Sequence, residues 1–141
     1  MTQAVSILLC ALGGEGGGVL ADWLVDVARI ADYPAQATSI PGVAQRTGAT
    51  TYYLEIYPVS NSQLKGQKPV LGLNPLPGRL DALVSSELLE TARQIGNGFA
   101  STDRTCVIAH LREPSPPPRK WSWAMAVVQK HLCSMLFLPT A

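Results

Sequence analysis

An α/β domain with a largely parallel sheet is the fold class that this sequence predicts. Three observations predict it. Residues 4–11, AVSILLCA, form an apolar run without alternation, as in a strand buried on both faces. A glycine cluster and then residues of helical periodicity follow it. Further on, strand-like and helix-like segments alternate as far as residue 109.

The first strand leads into GGEGGG at 13–18. After it, GVLADWLVDVARIADY places Val19, Leu20, Trp23, Val27, Ile30 and Ala31 at helical spacing, with Asp22, Asp26 and Arg29 opposite. The apolar set is therefore expected to face the core, and Pro34 to end the helix. Residues 35–40, AQATSI, are expected as a second strand and PGVAQRTGA as a loop. Residues 49–57, ATTYYLEIY, are rich in β-branched and aromatic residues and predict a strand. PVSNSQLKGQKP is a polar loop, and VLGLNPLPGR is extended and broken by two prolines. Residues 80–86 predict a strand. Residues 86–95 predict a helix capped by Ser86 and closed by Gly96, and 104–109 a last strand.

A chain of 141 residues holds one domain with a core. Charged residues are only 15% of it, against about a quarter in an average domain, so a surface covered by a partner subunit is expected. A net charge of +1 provides no electrostatic footprint for nucleic acid. Cys10, Cys106 and Cys133 show no CxxC or Cys/His spacing and are expected as reduced thiols of a cytoplasmic protein. Cys10 and Cys106 fall in apolar runs and are expected to be inert core thiols. The N-terminus has no basic stretch of a signal peptide. No apolar run approaches the roughly 18 residues of a membrane span. Neither nucleic acid nor membrane is therefore an expected partner.

The glycine cluster resembles a dinucleotide fingerprint only in part. The strand before it is present, but Gly13-Gly14-Glu15-Gly16-Gly17-Gly18 matches G-x-G-x-x-G only with slippage. The acidic residue that would hold a ribose is missing, because the second strand ends in Ser39, Ile40 and Pro41. Two readings remain: a tight turn in which glycines let backbone pack closely, and an anion site at a helix N-terminus. Glu15 opposes the anion and suits the helix dipole. A second constellation is SIPGVAQRTG, where Gln45 and Arg46 sit between Gly42 and Gly48. It is either ordinary surface or a rigid loop that presents an amide and a guanidinium to a ligand or a partner. A lone hydrolase has no support: Ser39 and Ser85 lack a nucleophile elbow, and the histidines, His110 and His131, come after the last strand.

Taken together, the strand, GGEG, the helix and then IPGVAQRTG before a long strand resemble the gamma-type domain of 2-oxoacid:ferredoxin oxidoreductases. The matching residues are Gly13, Gly14 and Gly16 in the first motif, and Pro41, Gly42, Gln45, Arg46 and Gly48 in the second. Ala11 departs from the glycine usual at the start of the first motif. Within the family the nearest likeness is to the beta subunit of indolepyruvate:ferredoxin oxidoreductases. The resemblance covers residues 4–109 and implies a Rossmann-like, three-layer domain. It implies oxidative decarboxylation of a 2-oxoacid to an acyl-CoA, with electrons passed to ferredoxin. It also implies thiamine diphosphate, an iron–sulfur cluster and coenzyme A in the assembled enzyme, the first two carried by a partner subunit. This chain alone is expected to bind none of them: it has no cysteine array for a cluster.

Residues 110–141 change in style, with three consecutive prolines and two of the three tryptophans. Read one base out of frame, RKWSWAMA allows K-M-V-M-G-D-G. The glycines follow from Trp123-Ala124 and Met125-Ala126 by the genetic code, and the valine from Trp121 before a TCN serine codon. The shifted strings resemble the family's continuation. The expectation is a one-base shift near Ala109 and His110, which leaves the domain incomplete at its C-terminus. The alternative is a genuine Pro-rich linker and C-terminal helix.

Overall fold

A computed structural model describes residues 3–41 and 48–110. In chain order these form β1 (Val5–Leu12), α1 (Gly17–Ile30), β2 (Ala35–Pro41), β3 (Ala49–Ile56), α2 (Asn61–Leu64), β4 (Ala82–Ser85), α3 (Leu88–Gly96) and β5 (Cys106–Ala109). The strands make one sheet of order β2-β3-β1-β4-β5. β3 is antiparallel to both β1 and β2, while β1 with β4 and β4 with β5 are parallel. Four strands therefore run one way and β3 alone runs against them.

The period-two alternation of a strand splits β1 between two cores. Leu8 and Cys10 join Tyr53, Leu80 and Leu83 on the α3 side, where Ile95 and Phe99 close over them. Leu9 joins Leu54, Ala21 and Val25 on the α1 side. Leu8, Leu54, Leu80 and Leu83 are at most 1% exposed, and each such side chain contributes roughly 1.5–3 kcal/mol. Right-handed crossovers account for the three layers. The connection from β1 leads towards β2 and that from β4 leads the other way to β5, so their helices cover opposite faces.

The sheet's other end is tied by a carboxylate. Asp81 Oδ2 accepts the Ser6 N–H at 2.8 Å and the Ser6 hydroxyl at 3.1 Å. Its Oδ1 accepts Arg104 Nε at 2.9 Å and Nη2 at 2.7 Å. Between β3 and β4 the chain crosses the sheet as a strap. The N–H of Gly72 donates to Glu55 Oε2, and the Tyr53 hydroxyl donates to Oε1 of the same carboxylate. Burial, and then that bond to Glu55, raise the Tyr53 phenol above its usual range.

Several expectations change. Val19, Leu20, Trp23, Val27 and Ile30 of α1 do not face the core. Ala21, Val25 and Ala28 do, while Trp23 is 64% and Ile30 87% exposed. The reason is at Gly17, where a Cβ would lie 2.5 Å from the Ala11 Cβ. That close approach sets the rotation of the helix, and positions 21, 25 and 28 follow Gly17 on the same face. α3 begins at Leu88, not at 86, and Glu87 rather than Ser86 occupies its N-cap. Its end is closed past Gly96, where Gly98 has φ 78° and its N–H donates to the Ile95 carbonyl. The polar loop after β3 contains α2, capped by the Ser60 hydroxyl. Cys10 is buried, but Cys106 is exposed, on the outermost strand at that side among the described residues. The tail from residue 111 lies outside the described residues.

Burial on its own would raise the Asp81 carboxyl, but the Ser6 N–H and the Arg104 guanidinium outweigh it and hold the group below its ordinary value. A depressed carboxyl stabilises the fold above its unfolded pKa of about 3.9. That contribution is lost as pH falls through the folded value. Asp81→Asn is expected to cost about 2 kcal/mol at pH 7 in urea unfolding, and the gap to the parent is expected to shrink below about pH 4. A gap equal at pH 7 and pH 3 would mean that the carboxylate is not what holds this end.

Candidate functional site

In open α/β sheets, ligands bind beyond the carboxyl ends of the strands, where successive crossovers diverge. Here that place lies between β1 and β4. The turn after β1 is closed by the Glu15 N–H on the Leu12 carbonyl at 3.1 Å. Gly14 and Gly16 take φ of 91° and 79°, a region that side chains with a Cβ rarely adopt. β3 starts opposite this turn, with Leu12 paired to Ala49. Gly48 is thereby brought beside Gly13, whose Cβ would lie 4.0 Å from the Gly48 carbonyl oxygen.

Of the predicted site residues, Gly13, Gly14, Gly16 and Gly48 thus converge at one edge. Gly42, Gln45 and Arg46 lie outside the described residues. Glu15 has a structural task that its sequence position did not disclose. Its carboxylate accepts the Leu12 N–H at 3.2 Å and the Ser86 hydroxyl, so it joins the turn after β1 to the turn after β4. Ser86, expected as a helix cap, serves this tie instead. Ser85 Oγ donates to the Glu87 carbonyl at 2.7 Å and accepts the Glu87 N–H at 3.2 Å.

Two helices begin at this edge without a side-chain cap. The N-cap of α1 is Gly16 and that of α3 is Glu87. Their first-turn N–H groups place the positive ends of both helix dipoles here. Glu87 and Glu90 temper that field at α3. Glu90 is buried, which raises its carboxyl; Arg93, 2.7 Å away, opposes the rise and Glu87 adds to it. The Cys10 thiol is pushed up to about 12 by burial and then by the charge of Glu90. Its burial keeps the thiol un-ionised near neutral pH.

The arrangement departs from a dinucleotide site. The neighbour of β1 on the β2 side is β3, which enters at this edge instead of leaving it. A ribose-holding carboxylate at the end of an adjacent parallel strand therefore has no counterpart there. Among the described residues no group of three or more His, Cys, Asp or Glu is placed to hold a metal ion. None of their helices is long and apolar enough to cross a membrane. One cleft, of about 380 Å³, is lined by Ser6, Tyr53, Glu55 and Arg79 at the opposite end of β1.

The family described as pyruvate ferredoxin/flavodoxin oxidoreductase matches residues 6–129. The chain belongs to this family. The match runs past Ala109 into the Pro-rich segment. No curated protein matches the chain. Among solved structures, it is similar to 2-oxoglutarate:ferredoxin oxidoreductase from Magnetococcus marinus, determined with 2-oxoglutarate, coenzyme A and succinyl-CoA bound. The TM-score is 0.58 at 12% identity, over 85% of this chain and 18% of that one. It is also similar to a pyruvate oxidoreductase subunit from Thermotoga maritima, with a TM-score of 0.54 at 15% identity, over 92% of this chain and 56% of that one. At these identities the likeness is one of fold. The chain spans well under two thirds of either protein.

Sequence reasoning found the glycine cluster of this oxidoreductase-family domain but not the part played by Gly17. Its signal is the spacing of Gly17, Ala21 and Val25, every fourth residue and small enough for close packing. Gly17→Ala would place a Cβ 2.5 Å from Ala11 Cβ and 3.1 Å from the Tyr52 ring. It is expected to cost about 2 kcal/mol in chemical denaturation. Gly96→Ala, where nothing lies within 4 Å, is expected to change stability by less than about 0.5 kcal/mol.

Proposed function

We propose that this chain is a gamma-type subunit of a 2-oxoacid:ferredoxin oxidoreductase, acting on an arylpyruvate such as indolepyruvate. The assembled enzyme would decarboxylate the 2-oxoacid oxidatively to an acyl-CoA and pass the electrons to ferredoxin. The observation that carries this reading is the convergence of Gly13, Gly14, Gly16 and Gly48 at the switch point of a domain that belongs to this family. The Magnetococcus relative in fold, which holds a 2-oxoacid and coenzyme A, supports the substrate class.

The described residues do not fit an iron–sulfur cluster, since no cysteine or histidine group converges among them. Cys10 and Cys106 stand on different strands, one buried and one exposed. In this reading the cluster and thiamine diphosphate belong to a partner subunit, and no step of the chemistry is assigned to this chain. Its own part is positional. The turn at 13–16 gives a close backbone approach at the edge of the sheet. Gln45 and Arg46 stand in the second motif, between β2 and β3 in the chain. Arg46 supplies a forked cation suited to a carboxylate or a phosphate.

Two experiments test the reading. The complete chain, co-expressed with a thiamine-diphosphate-bearing partner, is expected to purify as a complex that reduces ferredoxin with an arylpyruvate. In that complex, Arg46→Ala is expected to lower turnover by about 100-fold with assembly intact. Loss of assembly would move Arg46 to an interface, and no change in either would leave it as surface. Absence of any complex would remove the enzyme-subunit reading. For residues 110–141 we propose a one-base shift in the gene. Sequencing across the codons for Cys106 to Trp121 is expected to show that one base restores a long open frame. A shifted frame that soon stops would make the Pro-rich segment genuine.

A further inference from the structure

Among the described residues, β2 is the outermost strand at one side of the sheet. Its hydrogen-bonding phase is set where the Tyr57 N–H donates to the Pro34 carbonyl at 2.8 Å. Antiparallel pairs alternate, and the register sets Gln36 against Glu55 and Thr38 against Tyr53. The backbone groups of Gln36 and Thr38 therefore face β3, and those of Ala35, Ala37 and Ser39 turn outward. No described backbone group pairs with that outer row. From 35 to 40 the strand has neither charge nor proline, the usual guards of a free edge.

A cleft of about 640 Å³ lies against this edge, and Ala35, Gln36 and Ala37 all line it. Successive side chains of a strand point to opposite faces, so a cleft that meets three in a row straddles the edge. Ala35 packs on the α1 face. The Gln36 amide, on the other face, donates to the Gly72 carbonyl of the strap at 3.4 Å. Arg29, near the end of α1, and Lys68, on the strap, also line the cleft, and none of its described lining residues is acidic. Among the described residues Lys68 has no ion pair, and Arg29 has only a loose one with Asp26, 3.9 Å away and open to water, which is worth little.

We propose that this edge takes an extended acidic segment of another protein chain, added to the sheet as a further strand beside β2. Main-chain bonds to Ala35, Ala37 and Ser39 hold its backbone. The small side chains of Ala35 and Ala37 leave room for that backbone. Carboxylates of the segment meet Arg29 and Lys68, which set the preference for an acidic sequence. A second copy of this chain is the poorer occupant, because its own β2 carries no acid to bring to these cations. The inference does not depend on the enzymatic reading. β2 runs parallel to β1, both being antiparallel to β3, so Ala35 stands at the end of the sheet opposite the glycine turn.

The probes are short fluorescein-labelled peptides, one of alternating threonine and glutamate and one of alternating threonine and lysine. Fluorescence anisotropy follows their binding to the full chain at up to about 1 mM. The glutamate peptide is expected to bind at least about tenfold more tightly at low salt, with a preference that shrinks as salt rises. Amide hydrogen exchange locates the bound segment. The N–H groups of Ala37 and Ser39 are expected to slow when it binds, while those of Gln36 and Thr38, already bonded to β3, stay as they were. Lys68→Glu, at an exposed position, is expected to weaken binding at least about tenfold. Ala37→Pro removes an outward donor and no bond to β3. It is expected to abolish binding with far-UV circular dichroism unchanged. A glutamate peptide that does not bind, or binds no better than the lysine peptide, overturns the proposal. Binding that leaves exchange at Ala37 and Ser39 unchanged overturns it too, and competition by inorganic phosphate would then make the cleft a small-anion site. Slow exchange at both positions without peptide, rising with protein concentration, would assign the edge to a second copy and overturn it equally.

Discussion

The contact between Gly17 and Ala11 is the constraint from which most of this structure follows. It brings the first turn of α1 against β1, with the Tyr52 ring wedged beside it. That contact fixes which side of α1 meets the sheet, and hence which side faces away from it. It also places the helix N-terminus directly over the glycine turn. The turn has little freedom once the helix is seated, because Glu15 closes it on Leu12 and binds it to Ser86.

β1 and β4 are held at both ends by carboxylates of opposite sequence origin. At one end Asp81, just before β4, takes the Ser6 N–H of β1 and the Arg104 guanidinium. At the other, Glu15, just after β1, takes the Ser86 hydroxyl after β4. Between them lie Leu8, Leu9, Cys10 and Leu83, almost wholly out of water. Parallel pairing needs such ties, since its strands are not joined by a hairpin. The same pair forms the switch point, so the tie at Glu15 also holds the edge at which the family motif sits.

The sequence was most legible where one residue pattern allows one structure. The unbroken apolar run at 4–11 and the β-branched run at 49–57 are strands within a residue or two of their expected limits. The glycine turn and Gly48 stand together at one edge of the sheet. Legibility failed where two patterns competed. α1 carries two apolar stripes, and the larger side chains suggested the wrong one as the core. Ser86 fits a helix cap by residue type, but the nearby Glu15 carboxylate is the acceptor to which its hydroxyl donates.

By itself the sequence determined that this chain is an α/β domain, because strand composition and helical period are local properties of the chain, and its two glycine motifs carried the resemblance to 2-oxoacid:ferredoxin oxidoreductases. Only the tertiary structure decided the direction of β3, the exposure of Cys106 and the phase of α1. Alternation along a strand is the same in either direction, and an edge position depends on which strands pair. The phase of a helix with two apolar sides depends on the closest contact it makes, and that contact joins residues 11 and 17 across the turn with Tyr52 of a strand far along the chain.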